Sequence, residues 1–343
     1  RKIMAGGSEK GKPNKMTIDE VAKALGVSAT TVSRALSGKG RIGENTRQRV
    51  LEYAREHGYR PNAERSSSGK IPGTGTIAIV LPEGKELVDQ PFFYTCMYGV
   101  NEMAMVNGYD MLVITVVGLD ITHLKRVISA RKADGVILAR TYRADPFAAY
   151  LRERRIPFVA VGSLDDDGGV QVDHDHRGAC RDLTSILISR KMNRIAYLGS
   201  SDGKLVDDER YAGYLQACED AGLAVDRELV SREETTVSGM QKKVEQFLER
   251  KADCILCQDD AVCNIVLKEL RSRNVRVPED IRVASCYNSK LLENYPVSVT
   301  TLNFDVMESG RTACRLLLDL ISGRPVPRKT VLDYEVLLKD STK

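Results

Sequence analysis

The spacing of hydrophobic and polar positions changes near residue 76 of the chain. Before that point apolar residues recur at helical intervals, as in Ile18, Val21, Ala22 and Leu25, which are spaced i, i+3, i+4 and i+7. After it, short runs rich in β-branched residues alternate with helical windows. The pattern therefore predicts a small helical region followed by a larger region of α/β structure.

The helical region predicts three short helices within residues 16–61. Thr17, with a glutamate three residues later, forms a capping box at the start of the first helix, and Gly26 ends it. A second helix is predicted over 29–36 and a third over 44–57. Two short helices joined by a turn that contains glycine are typical of a helix-turn-helix.

The region after residue 76 predicts parallel sheets. Its strands are near-continuous apolar runs, which is typical of strands covered on both faces, and helical windows separate them. Roughly 270 residues are too many for one open sheet, so we expect two doubly wound subdomains with a cleft between them. The predicted strands are 76–81, 109–116, 135–139, 158–162, 194–199, 253–257, 281–286 and 300–304. The predicted helices are 93–107, 122–132, 146–155, 176–189, 208–221, 238–251, 261–273 and 306–322.

Charge is distributed unevenly between these regions. The first 70 residues hold 15 Lys and Arg against 7 Asp and Glu, whereas the remaining 273 hold 36 against 40, although the whole chain is only +4. A basic arm on a mildly acidic body indicates a polyanionic partner for the arm. Residues 1–15 are predicted to be a disordered leader and residues 62–75, rich in Ser and Gly, a linker.

Composition excludes several classes of protein. No apolar run reaches the roughly 18 residues of a membrane span, and the polar N-terminal stretch is unlike a signal peptide. The eight cysteines are scattered without a disulfide framework, which predicts a reducing cytoplasm. We expect no membrane association.

The outward face of the second helix is small and hydroxylic, with a single arginine. Such a face allows a helix to lie in the major groove of DNA, where Arg34 would bind guanine with about 1–3 kcal/mol of discrimination. Phosphate contacts are expected from basic residues of the same region. The outward residues are Ala29, Thr30, Thr31, Ser33 and Arg34, and the basic residues are Lys39, Arg41, Arg47 and Arg49. The alternative is a small helical interaction domain with a solvated basic face.

Residues 17–37, followed by Thr46-Arg47 and Gly58-Tyr-Arg-Pro-Asn62, resemble the DNA-binding headpiece of the lactose repressor (LacI/GalR) family. We call residues 16–61 the headpiece. The resemblance implies that Ala29, Thr30 and Arg34 contact bases. It implies phosphate contacts from Thr17, Ser28, Thr31, Ser33, Ser37 and Tyr59, and Arg41 and Asn62 complete the predicted DNA-binding set.

The linker departs from the family pattern. In the family this segment forms a hinge helix on DNA, and a leucine from each subunit wedges into the minor groove. Here that position is Ser68, in the run Ser66-Ser-Ser-Gly69, and Ser and Gly are poor helix formers. We expect a weaker or differently placed wedge, with Ile71 as its alternative.

The resemblance continues through residues 76–343, which we call the body. It rests on the runs Thr76–Pro82 and Ala133–Leu138, and on Arg210-x-x-Gly213 and Val277–Asp280. It implies a fold similar to periplasmic sugar-binding proteins, with an effector between the two subdomains. The implied N-subdomain is 76–173 plus 302–322, and the implied C-subdomain is 174–300 plus 324–343. The ending 339–342 resembles the family's last strand.

Effector-contacting residues are implied at strand ends on both sides of this cleft. Arg210 occupies the family position whose guanidinium binds ligand hydroxyls or a carboxylate. The family's acidic ligand-holding position is Tyr287 here, which weakens the case for a simple sugar, and Arg140 allows an acidic or phosphorylated ligand. The full predicted set is Pro82, Arg140, Thr141, Arg210, Gln258, Asp259, Tyr287 and Asn288.

Two short motifs contain residue types that bind metals elsewhere. Cys254-x-x-Cys257 lies in a predicted buried strand, and His174-x-His176 lies at a predicted helix start, so neither predicts a metal site. No cofactor and no catalytic arrangement are predicted, so an enzyme is not expected.

The sequence therefore predicts a transcriptional repressor that binds double-stranded operator DNA as a homodimer. A sugar, sugar derivative or nucleoside-like effector is expected in the cleft. The alternative is a small-molecule-binding receptor with no DNA role, which the headpiece disfavours. An α/β enzyme is a second alternative.

Overall fold

A computed structural model describes residues 16–37, 42–57, 59, 73–84, 87, 90–165, 168–199, 203–233 and 236–343. It contains two compact units, a helical headpiece and an α/β body. No helix in these ranges is long and apolar enough to cross a membrane.

The headpiece consists of α1 (Ile18–Leu25), α2 (Ala29–Ser37) and α3 (Glu44–Glu56). The predicted capping box is present: the Glu20 amide donates to Thr17 Oγ1, and the Glu20 carboxylate accepts from the Thr17 amide. Gly26 ends α1 with φ 67°, a conformation that glycine adopts without steric cost. The buried core residues from the three helices are Val21, Ala22, Val32, Ala35, Leu36, Val50, Leu51 and Ala54.

The body alternates strands and helices along the chain. Its elements are β1 (Thr76–Pro82), α4 (Pro91–Val106), β2 (Asp110–Val116), α5 (Thr122–Ser129), β3 (Gly135–Leu138), α6 (Pro146–Glu153), β4 (Phe158–Val161), β5 (Val170–His174), α7 (His176–Ser189), β6 (Ile195–Leu198), α8 (Leu205–Asp220), β7 (Val230–Ser231), α9 (Val237–Glu249), β8 (Cys254–Cys257), α10 (Asp260–Ser272), β9 (Arg282–Ser285), α11 (Lys290–Glu293), β10 (Thr300–Phe304), α12 (Val306–Ile321), β11 (Lys329–Leu332) and β12 (Tyr334–Leu337).

Two six-stranded sheets organise the body into two subdomains. The N-subdomain sheet has the order β11-β5-β4-β3-β1-β2, and all its pairings are parallel. The C-subdomain sheet has the order β12-β10-β9-β8-β6-β7 and is parallel except for the edge strand β12. Strands β3, β4 and β8 are buried along their whole length, as the apolar runs predicted.

Glycines allow the helices of each subdomain to pack closely. A Cβ on Gly99 of α4 would lie 2.2 Å from the Met307 carbonyl oxygen of α12, and one on Gly310 would lie 2.2 Å from the Cys96 carbonyl oxygen. In the C-subdomain, a Cβ on Gly213 of α8 would lie 2.3 Å from the Arg177 carbonyl oxygen of α7. These contacts join backbone to backbone, so a side chain cannot be accommodated without moving a helix.

The C-terminal assignments need correction. Residues 324–343 were expected in the C-subdomain, but β11 pairs with β5 in the N-subdomain sheet, so only the residues after 333 belong with the C-subdomain. Residues 339–342 resemble a last strand in sequence, yet Asp340–Thr342 forms a 3₁₀ turn. The sequence pattern missed β5, β7, β11 and β12, which are short or carry polar residues.

Candidate functional sites

The predicted DNA-reading face of α2 is presented to solvent. Thr30, Ser33 and Arg34 are exposed, and Ala29 and Thr31 are partly exposed, while Val32 on the opposite face is fully buried. The face is nearly flat because its side chains are small, apart from Arg34. A helix of this kind can approach base edges closely.

Two predicted phosphate-contacting side chains also cap helices. The Ser28 hydroxyl accepts from the Thr31 amide at 3.0 Å and lies 2.8 Å from the Thr31 hydroxyl, which fixes the start of α2. Thr17 caps α1 in the same way. Arg49, expected on a phosphate, donates from Nη2 to the Leu25 carbonyl at 3.2 Å and so binds the last turn of α1.

Tyr59, which is predicted to contact a phosphate, is buried in the structure without DNA. Its side chain is only 3% exposed and packs in the headpiece core. Burial of the large apolar ring stabilises the core by more than burial of one hydroxyl costs. The polar sequence neighbours of Tyr59 gave no sign of this burial. Arg41, Asn62, Lys39 and the Ser68 wedge position lie outside the described residues, as does the side chain of Ser37.

The second candidate site is a cleft between the two sheets of the body. Its empty space, counted out to the open mouth of the cleft and so including solvent, is about 920 Å³. Its lining from the N-subdomain includes Phe93, Arg140, Thr141 and Gly162, and its lining from the C-subdomain includes Lys204, Asp207, Arg210, Asp259, Asp260 and Tyr287. Loops at the carboxyl ends of parallel strands supply several of these residues, as such folds predict.

One end of the cleft is closed by contacts between the subdomains. The Arg143 guanidinium binds the Asp208 carboxylate, and the Arg143 amide donates to the Gly203 carbonyl at 3.0 Å. Arg232 binds the other oxygen of Asp208 at 2.7 Å. Burial opposes ionisation of Asp208, but the two guanidinium partners outweigh it and lower its pKa. The Arg143 side chain is 63% exposed, so its pair with Asp208 contributes little energy.

Arg210 is buried among the groups of the C-subdomain wall. Its Nη1 donates to the Gln258 carbonyl at 3.0 Å, and its guanidinium carbon lies 6.0 Å from the centre of the Tyr287 ring. The buried Nε has no hydrogen-bond partner among the described residues. A buried donor without a partner is costly, so an acceptor on a bound ligand would be stabilised there.

Three aspartates surround Arg210, and one of them titrates unusually. Burial, followed by the charge of Asp259, raises the pKa of Asp260 to about 6. The Ser289 hydroxyl donates to Asp260 and partly opposes that shift. Asp259 caps α10 by accepting from the Val262 amide at 2.8 Å. The wall thus offers carboxylate acceptors and, below about pH 6, one protonated carboxyl group that can donate.

Arg140 provides the cation of the opposite wall. Its guanidinium lies 4.7 Å from the centre of the Phe93 ring and donates to Gln90 Oε1 at 3.2 Å. The ring and the amide hold the group in place over the cavity. Thr141 follows it, and a Cβ on Gly162 would lie 2.8 Å from the Thr141 hydroxyl, so the glycine makes room for Thr141 at the cavity.

The far end of the cleft is lined by a pair of histidines. His176 Nε2 lies 3.3 Å from the Asp173 carboxylate, and the rings of His174 and His176 lie 4.9 and 4.7 Å from the ring of Phe304. Burial opposes ionisation of Asp173, but the hydrogen bond and charge of His176, with the Ser163 hydroxyl, hold its pKa at about 2.

Five of the eight predicted effector residues line the cavity: Arg140, Thr141, Arg210, Asp259 and Tyr287. Three do not. Gln258 is buried and contributes its carbonyl to Arg210, Asn288 binds Asn303 in a neighbouring depression, and Pro82 is buried at the end of β1. Alternate residues at a strand end point to different sides of the sheet, so Gln258 and Asn288 lie beside the lining residues Asp259 and Tyr287 without lining the cavity themselves.

Sequence reasoning missed the lining residues that follow unpredicted strands or begin helices. His174 and His176 were interpreted as a helix start, and Asp207 and Asp260 were not singled out. The signal for the histidines was their alternation with Asp173 and Asp175. Within the described residues, no cluster of three or more histidine, cysteine or acidic side chains is arranged to hold a metal ion.

The tempting cysteine motif lies in the core. Cys254 and Cys257 are fully buried in β8, and burial raises the pKa of both thiols. Raised thiol pKa values and burial are typical of inert structural cysteines.

Comparison with known protein families identifies both units. Residues 17–62 match the family described as bacterial regulatory proteins, lacI family. The chain belongs to the LacI family. Residues 184–342 of this LacI-family protein match a periplasmic binding protein-like domain. The predicted family and α/β architecture are confirmed, and the protein is a DNA-binding transcriptional regulator.

Relatives of the LacI-family protein match it over nearly its whole length. The transcriptional regulator CelR of Thermobifida fusca is 29% identical, with 95% of this chain and 98% of CelR covered. The transcriptional repressor CytR of Escherichia coli K12 is 27% identical, with 95% and 96% covered. A structure of a CelR–cellobiose complex superimposes with a TM-score of 0.72 and 28% identity over 95% of this chain and all of that one. Both relatives carry the names of transcriptional regulators.

Proposed function

We propose that the protein is a repressor whose operator binding is controlled by a small polyhydroxylated molecule in the cleft. The proposal rests on one observation: the same chain contains the exposed helix α2, which suits the major groove, and a cleft between two subdomains that is lined by charged groups. The similarity to the repressor CytR supports the direction of control.

On DNA, we assign base contacts to Ala29, Thr30 and Arg34. All three lie on the solvent-facing side of α2, and Arg34 is the one long donor among them. Thr17, Ser28, Thr31 and Ser33 are assigned to phosphates, because hydroxyls beside exposed helix starts suit phosphate oxygens. Arg41, Asn62 and Ser37 remain proposed contacts by resemblance.

In the cleft, we assign ligand contacts to Arg210, Asp259, Asp260, Arg140 and Tyr287. The aromatic ring of Tyr287 suits the apolar face of a sugar ring, and the carboxylates suit its hydroxyls. The CelR–cellobiose complex supports a carbohydrate as the class of ligand. Arg140 extends that class to sugar acids and sugar phosphates.

The active species is proposed to be a homodimer in the cytoplasm, where operator DNA lies. One recognition helix reads one half-site, so a pseudo-palindromic operator requires two copies. Exposed apolar side chains support an interface: Tyr94 and Tyr98 of α4 are each 45% exposed, and Val113 on the edge strand β2 is 39% exposed.

The test is selection of the operator from random DNA with the full-length protein. We expect a pseudo-palindromic sequence, bound with a steep dependence on salt. Arg34→Ala should relax discrimination at one symmetric base pair, while the matched control Arg55→Ala, which removes the same charge from α3, should weaken binding uniformly. Failure to enrich any sequence would contradict the proposal.

A further inference from the structure

In the part of the chain that the structure describes, the backbone crosses between the two subdomains at three places. β5 leads into α7 at His174–His176, β10 leads into α12 at Phe304–Val306, and β11 leads into β12 at Asp333. Any change in the relative arrangement of the subdomains must pass through these crossings.

One side chain contacts all three crossings. His174 belongs to the first, its Nδ1 lies 2.9 Å from the Asp333 carbonyl oxygen of the third, and its ring packs on Phe304 of the second. Its Nε2 lies 3.0 Å from the hydroxyl of Ser309, in the first turns of α12 just after the second crossing.

The proton positions follow from the partners. A carbonyl oxygen only accepts, so Nδ1 donates to Asp333. Burial, followed by the charge of His176, lowers the pKa of His174, so the imidazole is neutral at pH 7 and Nε2 accepts. The Ser309 hydroxyl is 3.0 Å from Nε2 and 3.0 Å from the Asp305 carbonyl, and its single proton can serve one of them at a time.

His174 and its partners also face the cleft in which the ligand is proposed to bind. His174, Phe304 and Ser309 all line the cavity of the cleft. A ligand that displaces the Phe304 ring, or that accepts the hydrogen bond of the Ser309 hydroxyl, therefore changes the contacts of His174, which joins all three crossings.

We propose that His174 is the positioning residue that couples occupancy of the cleft to the relative arrangement of the two subdomains. The ligand part of this inference rests on the proposed function, whereas the linkage of the three crossings does not. His176 binds Asp173 and also packs on Phe304, so it contacts the first and second crossings, whereas the hydrogen bond to Asp333 of the third crossing is made by His174.

Hydrogen exchange on the full-length protein tests the linkage without a ligand. His174→Phe keeps a ring but removes both hydrogen bonds, His174→Gln keeps a donor and an acceptor, and His123→Phe on α5 is the matched control. In His174→Phe we expect amides at 173–177, 303–309 and 331–335 to exchange about tenfold faster, the change expected from losing two hydrogen bonds. His174→Gln should restore most of the protection.

Two results would overturn the inference. Faster exchange confined to 173–177 would mean that the side chain does not join the crossings. Uniformly faster exchange throughout both sheets would mean that His174 merely stabilises the fold.

A second arm uses cellobiose and the selected operator. If cellobiose changes operator affinity for the wild type, His174→Phe should lose most of that change. Both proteins are compared at saturating cellobiose, so a weaker Kd of the variant for cellobiose does not enter the coupling factor. A coupling factor unchanged in His174→Phe would overturn the inference. If the wild type does not respond to cellobiose, cellobiose is not its effector, and the exchange result alone decides the role of His174.

Discussion

The titration of Asp260 gives a quantitative prediction about the cleft. Asp260 is 4% exposed, and its pKa is raised from an ordinary 3.8 to about 6, first by burial and then by Asp259. The folded protein holds this proton more tightly than the unfolded chain, so the associated stability is full below pH 4 and is lost as pH rises through about 6. The difference between the two pKa values corresponds to about 3 kcal/mol of folding free energy.

Asp260→Asn removes this titration but retains an oxygen that accepts from Ser289. The free energy of unfolding of the variant, relative to wild type, should therefore rise by up to about 3 kcal/mol between pH 4 and pH 7. Urea unfolding at pH 4, 5, 6 and 7 measures it, with Asp19→Asn on an exposed position as the control. A difference between Asp260→Asn and wild type that is constant with pH would refute the reasoning.

Three other changes test the packing and the site. Gly99→Ala places a Cβ against the Met307 carbonyl and should lower the free energy of unfolding of the body by about 1–3 kcal/mol in urea; an unchanged value would contradict the α4–α12 contact. Thr17→Ala removes the N-cap of α1 and should cost the headpiece about 1 kcal/mol, seen as faster amide exchange in α1 with α9 unaffected. The pKa of Asp173 is depressed to about 2, so the stability that its ionised form contributes is present above pH 4 and is lost as pH falls toward 2. The free energy of unfolding of Asp173→Asn should therefore be lowered most at neutral pH. A loss of the same size at pH 2.5 would count against this explanation.

The sequence predicted most of the fold because local and long-range signals agree there. The capping box, the glycine that ends the helix and the spacing of apolar residues all indicated α1. Near-continuous apolar runs indicated strands such as β3 and β8. The strands it missed are those whose burial depends on distant partners. β5 carries Gln171, Asp173 and His174, yet all five of its residues are buried between β4 and β11.

The site was predicted less completely for a related reason. Residues immediately after a strand could be placed at the cleft, as for Arg140 and Asp259, but the side to which each side chain points could not. The role of His174 depends on Asp333 and Ser309, which are 159 and 135 residues away in sequence. No local pattern carries such information.

Reciprocal linkage tests the central claim most directly. A sugar or sugar phosphate that raises the melting temperature of the wild type is taken as the cleft ligand, and its Kd is measured with and without operator. The account predicts that the ligand changes operator affinity, and that operator changes ligand affinity by the same factor. Arg210→Lys should weaken the affinity of the cleft for the ligand and leave operator binding in the absence of ligand unchanged. A ligand that binds the cleft but leaves operator affinity unchanged would contradict the account.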